Sequence, residues 1–412
     1  MDRIKELDGL RAIAILGVLT AHFVPPTIHL RNLLVLGWSG VDLFFAISGF
    51  LITGILIGLR RKESAFRTFY WRRTLRIFPL YYLALVLMLA LALAHGEHLN
   101  YREIVRHSLF LSSAKPGLIK LAFSRLLFKV PRSSSAELQH FQYTLLQFKD
   151  CFEIYWSLSV EELFYLLWAP IVLKGSRRMV MVCSVAPLLV CPILRGLAHT
   201  TPHIAESFGF VFRFDSLAAG ACVAFVLWGV DHGYFTGKLL DRGLIAIIIV
   251  SSLALFLLVT FCGAWRGVDV RTTLAFSIFG FSLLAMGSAA LVGAFVRGSG
   301  HLGLLSNTLR SRGAVYLGTI SYTMYLIHLP TFVVVQLVMV RVFGADIFPS
   351  NRGLAILSGV LASTCAVLLA GLSWNYIEGP IMRLKDVRFP VKDAAIALPV
   401  ESDVDRSAKR CA

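Results

Sequence analysis

Long runs of apolar residues, each closed by a short polar or basic stretch, recur along the whole chain. Runs of roughly 17 to 25 mostly apolar residues are long enough to cross a hydrocarbon core about 30 Å thick as helices, and ten segments qualify, near 10–28, 34–58, 77–94, 151–173, 179–195, 208–229, 243–263, 273–296, 315–341 and 353–376. None shows the sustained two-residue alternation of a membrane barrel, so helices are the expected spanning element. The pattern therefore predicts an all-α integral membrane protein, a bundle of about ten transmembrane helices.

Composition strengthens that reading. The 412 residues are 57% hydrophobic and only 16% charged, too apolar for a soluble enzyme of this length. Formal net charge is +16, but the basic residues sit mainly in connections. Positively charged connections mark the cytoplasmic side, and "RRKESAFRTFYWRRTLR" alone carries Arg60, Arg61, Lys62, Arg67, Arg72, Arg73 and Arg76. Lys174, Arg177 and Arg178, then Lys238 and Arg242, then Arg310 and Arg312, then a tail from Arg383, fall on the same side if the spans alternate. Both termini are thus expected in the cytoplasm, with Arg31, Arg195, Arg266, Arg271, Arg341 and Arg352 in the sparser outer connections. Anionic lipid headgroups account for the remaining basic character, so membrane lipids are expected partners and nucleic acid is not.

The connection 95–150 holds eight Lys or Arg yet is expected outside, since long loops translocate largely regardless of charge. Its clusters "LFLSS" and "LIKLAFSRLLF" suit either a lid over an acceptor or surface-lying amphipathic pieces. Residues 1–385 read as one membrane domain and 386–412 as a flexible basic cytoplasmic tail. The first apolar stretch lacks a signal-peptide cleavage pattern and is expected to remain in the protein. Seven cysteines, at 151, 183, 191, 222, 262, 365 and 411, form no metal-ligand spacing; they read as packing residues, and no metal is expected.

Polar residues inside apolar spans are costly and are the places to look for chemistry. Of the eleven histidines only His22 and His328 lie within spans. Arg11 and His22 share one helix; at 100° and 1.5 Å per residue they face one wall about 16 Å apart. Such a ruler suits a long substrate with an anionic head and a reactive tip, like the phosphates and thioester of coenzyme A. Arginine pairs well with phosphate through its two-pronged guanidinium, and Arg73 and Arg76, at i and i+3, can face the same way. Histidine at the other end can take a proton from a hydroxyl attacking a thioester. Histidine can equally be an interhelical hydrogen-bonding group, and the arginines can be ordinary cytoplasmic charge.

Further polar clusters follow. "SGVDLFFAISGF" places Asp42 and Ser48 among aromatics, with Gly49 permitting close helix approach. "YWSLSVEELFY" sets Ser157 and Glu161 on one face with Tyr165 a turn on, at the outer end of its span by orientation. "FRFDSLAAG" carries Arg213 and Asp215, most simply charge pairs with other helices. "SYTMYLIHLP" stacks Ser321, Tyr325 and His328, with Pro330 bending the helix beyond. No GxSxG elbow or P-loop occurs.

These segments together resemble the acyltransferase 3 family of integral membrane acyltransferases. The resemblance runs to about Lys385 through "LDGLRAIAILGVLTAH", "GVDLFFAISGFLIT", "FYWRRTLRIFPLYY", "YWSLSVEELFY", "RFDSLAAG", "ISYTMYLIHLP" and "IEGP", in that order. It implies an O-acyltransferase of the bacterial cytoplasmic (inner) membrane. The donor is acyl-CoA, commonly acetyl-CoA, and the acceptor is a carbohydrate or glycolipid outside, such as lipopolysaccharide O-antigen or exopolysaccharide, with peptidoglycan among the rivals. Carried over, His22 is the catalytic base, helped by Asp42 or Glu161. Arg11, Arg73 and Arg76, with the turn Ser48, Gly49 and Phe50, hold the donor, and Trp156, Ser157, Tyr325 and His328 face the substrate. Leu163 stands where relatives often have glutamine. Direct transfer and an acyl-histidine intermediate both remain open. Some members add a soluble hydrolase-like domain, and this chain reads as a stand-alone form. The rival class is a transporter of an anionic or lipid-linked substrate, against which no inverted repeat is visible.

Overall fold

The structure, a computed structural model, describes residues 4–24, 34–60, 62–94, 154–201, 211–234, 236–264, 268–298, 302–344 and 351–388. The long connection 95–150, most of the expected tail, Arg31 and Arg266 lie outside the described residues.

Every regular element among the described residues is helical. In chain order they are α1 (Lys5–Phe23), α2 (Gly40–Leu59), α3 (Ala65–Ala94), α4 (Trp156–Lys174), α5 (Arg177–Thr200), α6 (Phe214–Asp231), α7 (Gly237–Phe261), α8 (Phe281–Arg297), the short α9 (Gly303–Leu309), α10 (Arg312–Phe343), α11 (Arg352–Ser373) and α12 (Gly379–Arg388). One wide π turn, Phe276–Gly280, leads into α8, and another, Trp374–Glu378, joins α11 to α12. Seven helical stretches are long and apolar enough to cross a membrane; the other long helices are α1 and α3, which open on charged turns, and the 18-residue α6. The protein is a multi-pass helical membrane protein, and each predicted apolar segment is mainly helical over its described residues. Short α9 was invisible as a separate element, and α10 runs through Pro330 to Phe343, as the expected span 315–341 has it.

Packing follows the small residues. A methyl group at Gly49 of α2 would run into the carbonyl oxygen of Leu217 on α6, and one at Gly220 of α6 would run into that of Ala46 on α2. Two glycines thus let these backbones touch, which is how helices gain dispersion contact where lipid offers no hydrophobic drive. α1 lies against α10, and α10 against α11. Between α1, α2, α3, α4 and α10 sits the main core, where Phe45, Phe69, Tyr81, Tyr155, Tyr165 and Trp168 are buried. At the start of α1, the Glu6 carboxylate accepts hydrogen bonds from Arg310 (2.5 Å) and Ser306 (3.1 Å), tying α1 to α9.

Candidate functional site

A cavity of about 260 Å³, largely apolar but studded with charged and polar groups, opens between α1, α2, α3, α4 and α10. Its wall carries Arg11, Ser48, Arg73, Arg76, Glu161 and Tyr325. Three arginines separated in sequence, expected as one anion-binding set, therefore share one chamber. They are not equivalent within it.

Arg11 makes an ion pair one turn back with Asp8 at 3.1 Å. Arg73 lies 3.8 Å from the Glu161 carboxylate and stacks its guanidinium 3.8 Å above the Tyr165 ring, a cation–π contact. Glu161 is further held by Ser48, which donates at 3.1 Å, and by the Tyr165 hydroxyl, which donates at 2.6 Å. Arg76 makes no hydrogen bond or ion pair among the described residues, although it lines the same cavity. A guanidinium offers five donors, so an unengaged one on a cavity wall is a ready partner for an anionic oxygen.

Glu161 thus meets the arginine side of the site and not His22, which its place near the outer end of its span did not suggest. Its neighbour Glu162 was overlooked: its Oε1 is buried without a hydrogen-bond partner. So was Glu378 of the "IEGP" segment, buried and accepting from Thr323 at 2.9 Å. The doubled carboxylate in "VEEL" was the available signal for the first, and the isolated acid after an apolar run for the second.

Tyr325 links the cavity to the histidines. Its hydroxyl is 2.6 Å from the Ser157 hydroxyl and donates to the Ile154 carbonyl at 3.0 Å. Its ring lies 5.6 Å from that of His328, and His328 lies 5.0 Å from His22, centroid to centroid. The Nδ1 of His22 is 2.9 Å from the Val18 carbonyl, and the Nδ1 of His328 is 2.7 Å from the Tyr325 carbonyl. A carbonyl only accepts, so in each neutral ring the proton is assigned to Nδ1 and the lone pair to Nε2. His22 is exposed, whereas His328 is fully buried.

The remaining expected residues lie elsewhere. Asp42, buried completely, pairs with Arg213 and accepts from the Ser216 hydroxyl at 2.8 Å. Trp156 packs edge-on against Phe45 and beneath Arg213, and does not line the cavity. Gly49 faces α6, and Phe50 is sealed in the core; neither forms cavity wall, because the close α2 and α6 contact occupies that side. Arg213 and Asp215 do pair with other helices, as their spacing suggested. The partner of Asp215 is Arg195, 2.7 Å away. Arg195 was expected in an outer connection, but the helix continues past it and buries it.

The helical membrane protein thus sets three arginines on one chamber wall and packs a pair of histidine rings behind Tyr325. Comparison with known proteins makes the class specific. The family model described as "Acyltransferase domain" matches residues 4–372, and the chain belongs to this acyltransferase 3 family of enzymes, which transfer acyl groups other than aminoacyl groups.

Three curated relatives show the range. The chain is 28% identical over 391 residues to "Putative peptidoglycan O-acetyltransferase YrhL" of Bacillus subtilis (strain 168), covering 92% of this chain and 55% of the relative. It is 25% identical over 405 residues to "Peptidoglycan O-acetyltransferase OatA" of Listeria monocytogenes serovar 1/2a, with 92% and 56% covered. It is 23% identical over 390 residues to "O-acetyltransferase OatA" of Staphylococcus aureus (strain NCTC 8325 / PS 47), with 92% and 57% covered. The chain therefore spans little more than half the length of these relatives. No solved structure matches.

Proposed function

We propose that the chain is a membrane O-acetyltransferase that takes an acetyl group from acyl-CoA at the cytoplasmic face and delivers it to a hydroxyl of a cell-envelope carbohydrate outside. In this reading all ten long helices cross a bacterial cytoplasmic membrane, both termini are cytoplasmic, and the arginines of α3 face the donor. The observation that carries it is Arg76, a cation on the chamber wall with neither ion pair nor hydrogen bond among the described residues. The relatives named as peptidoglycan O-acetyltransferases put peptidoglycan ahead of lipopolysaccharide or exopolysaccharide as the acceptor.

The donor fits in part. A chamber of about 260 Å³ is smaller than the several hundred Å³ typical of sites that enclose a drug-sized ligand. The acyl end and part of the extended arm enter, and the phosphates stay with Arg11 and Arg76 toward the cytoplasmic mouth. Arg73, held by Glu161 and Tyr165, forms the fixed rim of that mouth. At the other end His22 Nε2 removes the proton of the acceptor hydroxyl as its oxygen attacks the thioester carbonyl. The carbon–sulfur bond breaks, and the thiolate leaves with the proton returned from His22. Asp42 acts at a distance, by fixing Arg213 and the packing of α2 on α6.

Purified protein in proteoliposomes, given acetyl-labelled acetyl-CoA inside and soluble peptidoglycan fragments outside, tests the scheme. Label is expected on the glycan as an alkali-labile ester. Release of free acetate only, or passage of intact donor across the bilayer, would contradict it. Mass spectrometry of envelope glycans from a deletion strain and its complemented parent then names the acyl group and its carrier together.

A further inference from the structure

Among the described residues, His328 is a buried polar group whose surroundings leave it unexplained. Its side chain is fully buried, its Nδ1 is engaged by the Tyr325 carbonyl, and its Nε2 has no hydrogen-bond partner. Buried acceptors without donors are rare in folded proteins, and each needs a reason. Among the described residues the rings beside it are His22, at 5.0 Å between centroids and tilted by 52°, Tyr325, at 5.6 Å, and Phe23, at 6.1 Å. The Tyr325 hydroxyl is already committed to Ser157 and Ile154.

In the neutral state His22 has nothing to give, since its one proton is on Nδ1, facing Val18. Protonation changes this, because both nitrogens of an imidazolium are donors. A centroid separation of 5.0 Å lets two ring nitrogens approach to hydrogen-bond distance after a small rotation.

Building on the proposed role of His22 as base, we infer that His328 is a positioning residue whose Nε2 receives the newly formed Nε2–H of His22. The proton leaves the acceptor hydroxyl for His22 Nε2 while the new carbon–oxygen bond forms. It is held in an N–H···N bond to His328 while the tetrahedral adduct exists, and it leaves His22 for the sulfur as the carbon–sulfur bond breaks. The Nδ1–H···O=C bond to Val18 stays in place throughout and serves as the pivot. His328, sealed from the chamber, does not touch substrate; it makes the charged form of His22 the one in which all four ring nitrogens of the two histidines are satisfied.

Two near-isosteric amides separate this role from packing. His328→Gln places an amide oxygen where Nε2 stood, and His328→Asn reaches only the Nδ1 position, so both fill polar space but only the first keeps the acceptor. The measurements are kcat and the donor KM in acetyl transfer, with the melting temperature of each detergent-solubilised variant. His328→Asn is expected to lose kcat by about tenfold or more, on the scale of acid–base assistance, with donor KM within about twofold and most of the rate restored in His328→Gln. Equal kcat in all three proteins, or equal losses in both variants, overturns the inference. If the asparagine variant fails to fold, a glutamine variant that folds but transfers at under about a tenth of the wild-type rate overturns it equally. Full activity of His22→Ala would instead remove the underlying reading of His22 as base.

Discussion

Arg195 and Arg76 are both arginines inside an apolar bundle, and they are treated in opposite ways. The guanidinium of Arg195 makes five hydrogen bonds: Nε to the Ser277 carbonyl, one terminal nitrogen to Phe212 and Asp215, the other to Ile278 and Ser282. That uses every donor it has. Arg76 makes none among the described residues, although it borders a chamber shared with two other arginines. Burying a charge is affordable for structure only when it is fully paired, so Arg195 belongs to the scaffold. Leaving Arg76 open makes sense when a visiting anion completes it.

This contrast predicts where damage appears. His22→Ala gives the largest effect, a loss of transfer of about a thousandfold with the melting temperature and donor binding preserved. Intact turnover in that variant would place the chemistry elsewhere. Asp215→Asn strands a buried guanidinium and is expected to cost about 3–5 kcal/mol of stability, read as a lower melting temperature or reduced membrane yield. The residual folded enzyme should keep its donor KM.

Arg76→Ala reverses that pattern. It is expected to weaken donor recognition by about 1.5–3 kcal/mol, the worth of a hydrogen bond to a charged group, and leave melting unchanged. A destabilised but kinetically normal Arg76→Ala would dissolve the distinction between the two arginines. Gly49→Ala pushes a methyl group into the Leu217 carbonyl, a packing fault of about 1–3 kcal/mol that thermal denaturation detects without a change in donor KM.

The smallest effect lies at Glu6. Burial pushes its carboxyl up, but hydrogen bonds from Arg310 and Ser306 outweigh this and leave it below its ordinary value. A depressed carboxyl contributes stability that is complete above the unfolded value, about 4.3, and is lost as pH falls through the lowered folded value. Glu6→Gln should therefore lower stability slightly at neutral pH, by less than about 1 kcal/mol for a partner as exposed as Arg310, read as a small drop in melting temperature, and the difference should vanish on acidification.

How much of this was legible depended on distance along the chain. Apolar runs specify helices locally, and Arg73 and Arg76 reach one chamber because i and i+3 share a helical face. Tyr325 and His328 follow one another for the same reason. The pairing of Asp42 with Arg213 spans 171 residues, and nothing in either neighbourhood selects between Arg213 and Arg195 as its partner. Glu161 looked like an outer-end residue because its span opens only five positions earlier. Its contact with Arg73 was hidden because depth in the bundle depends on how α3 and α4 slide past each other. Gly49 carried a true signal, small size, whose use was to seat α6. The unpartnered nitrogen of His328 and the freedom of Arg76 are properties of surroundings, and no sequence pattern records them.

Equilibrium binding of acetyl-CoA to the detergent-solubilised protein, comparing wild type with Arg76→Ala at low and high salt, tests the central claim most directly. The account predicts that the substitution weakens binding by about tenfold or more and flattens its salt dependence, with folding intact. Equal affinity and equal salt dependence in the two proteins would contradict it.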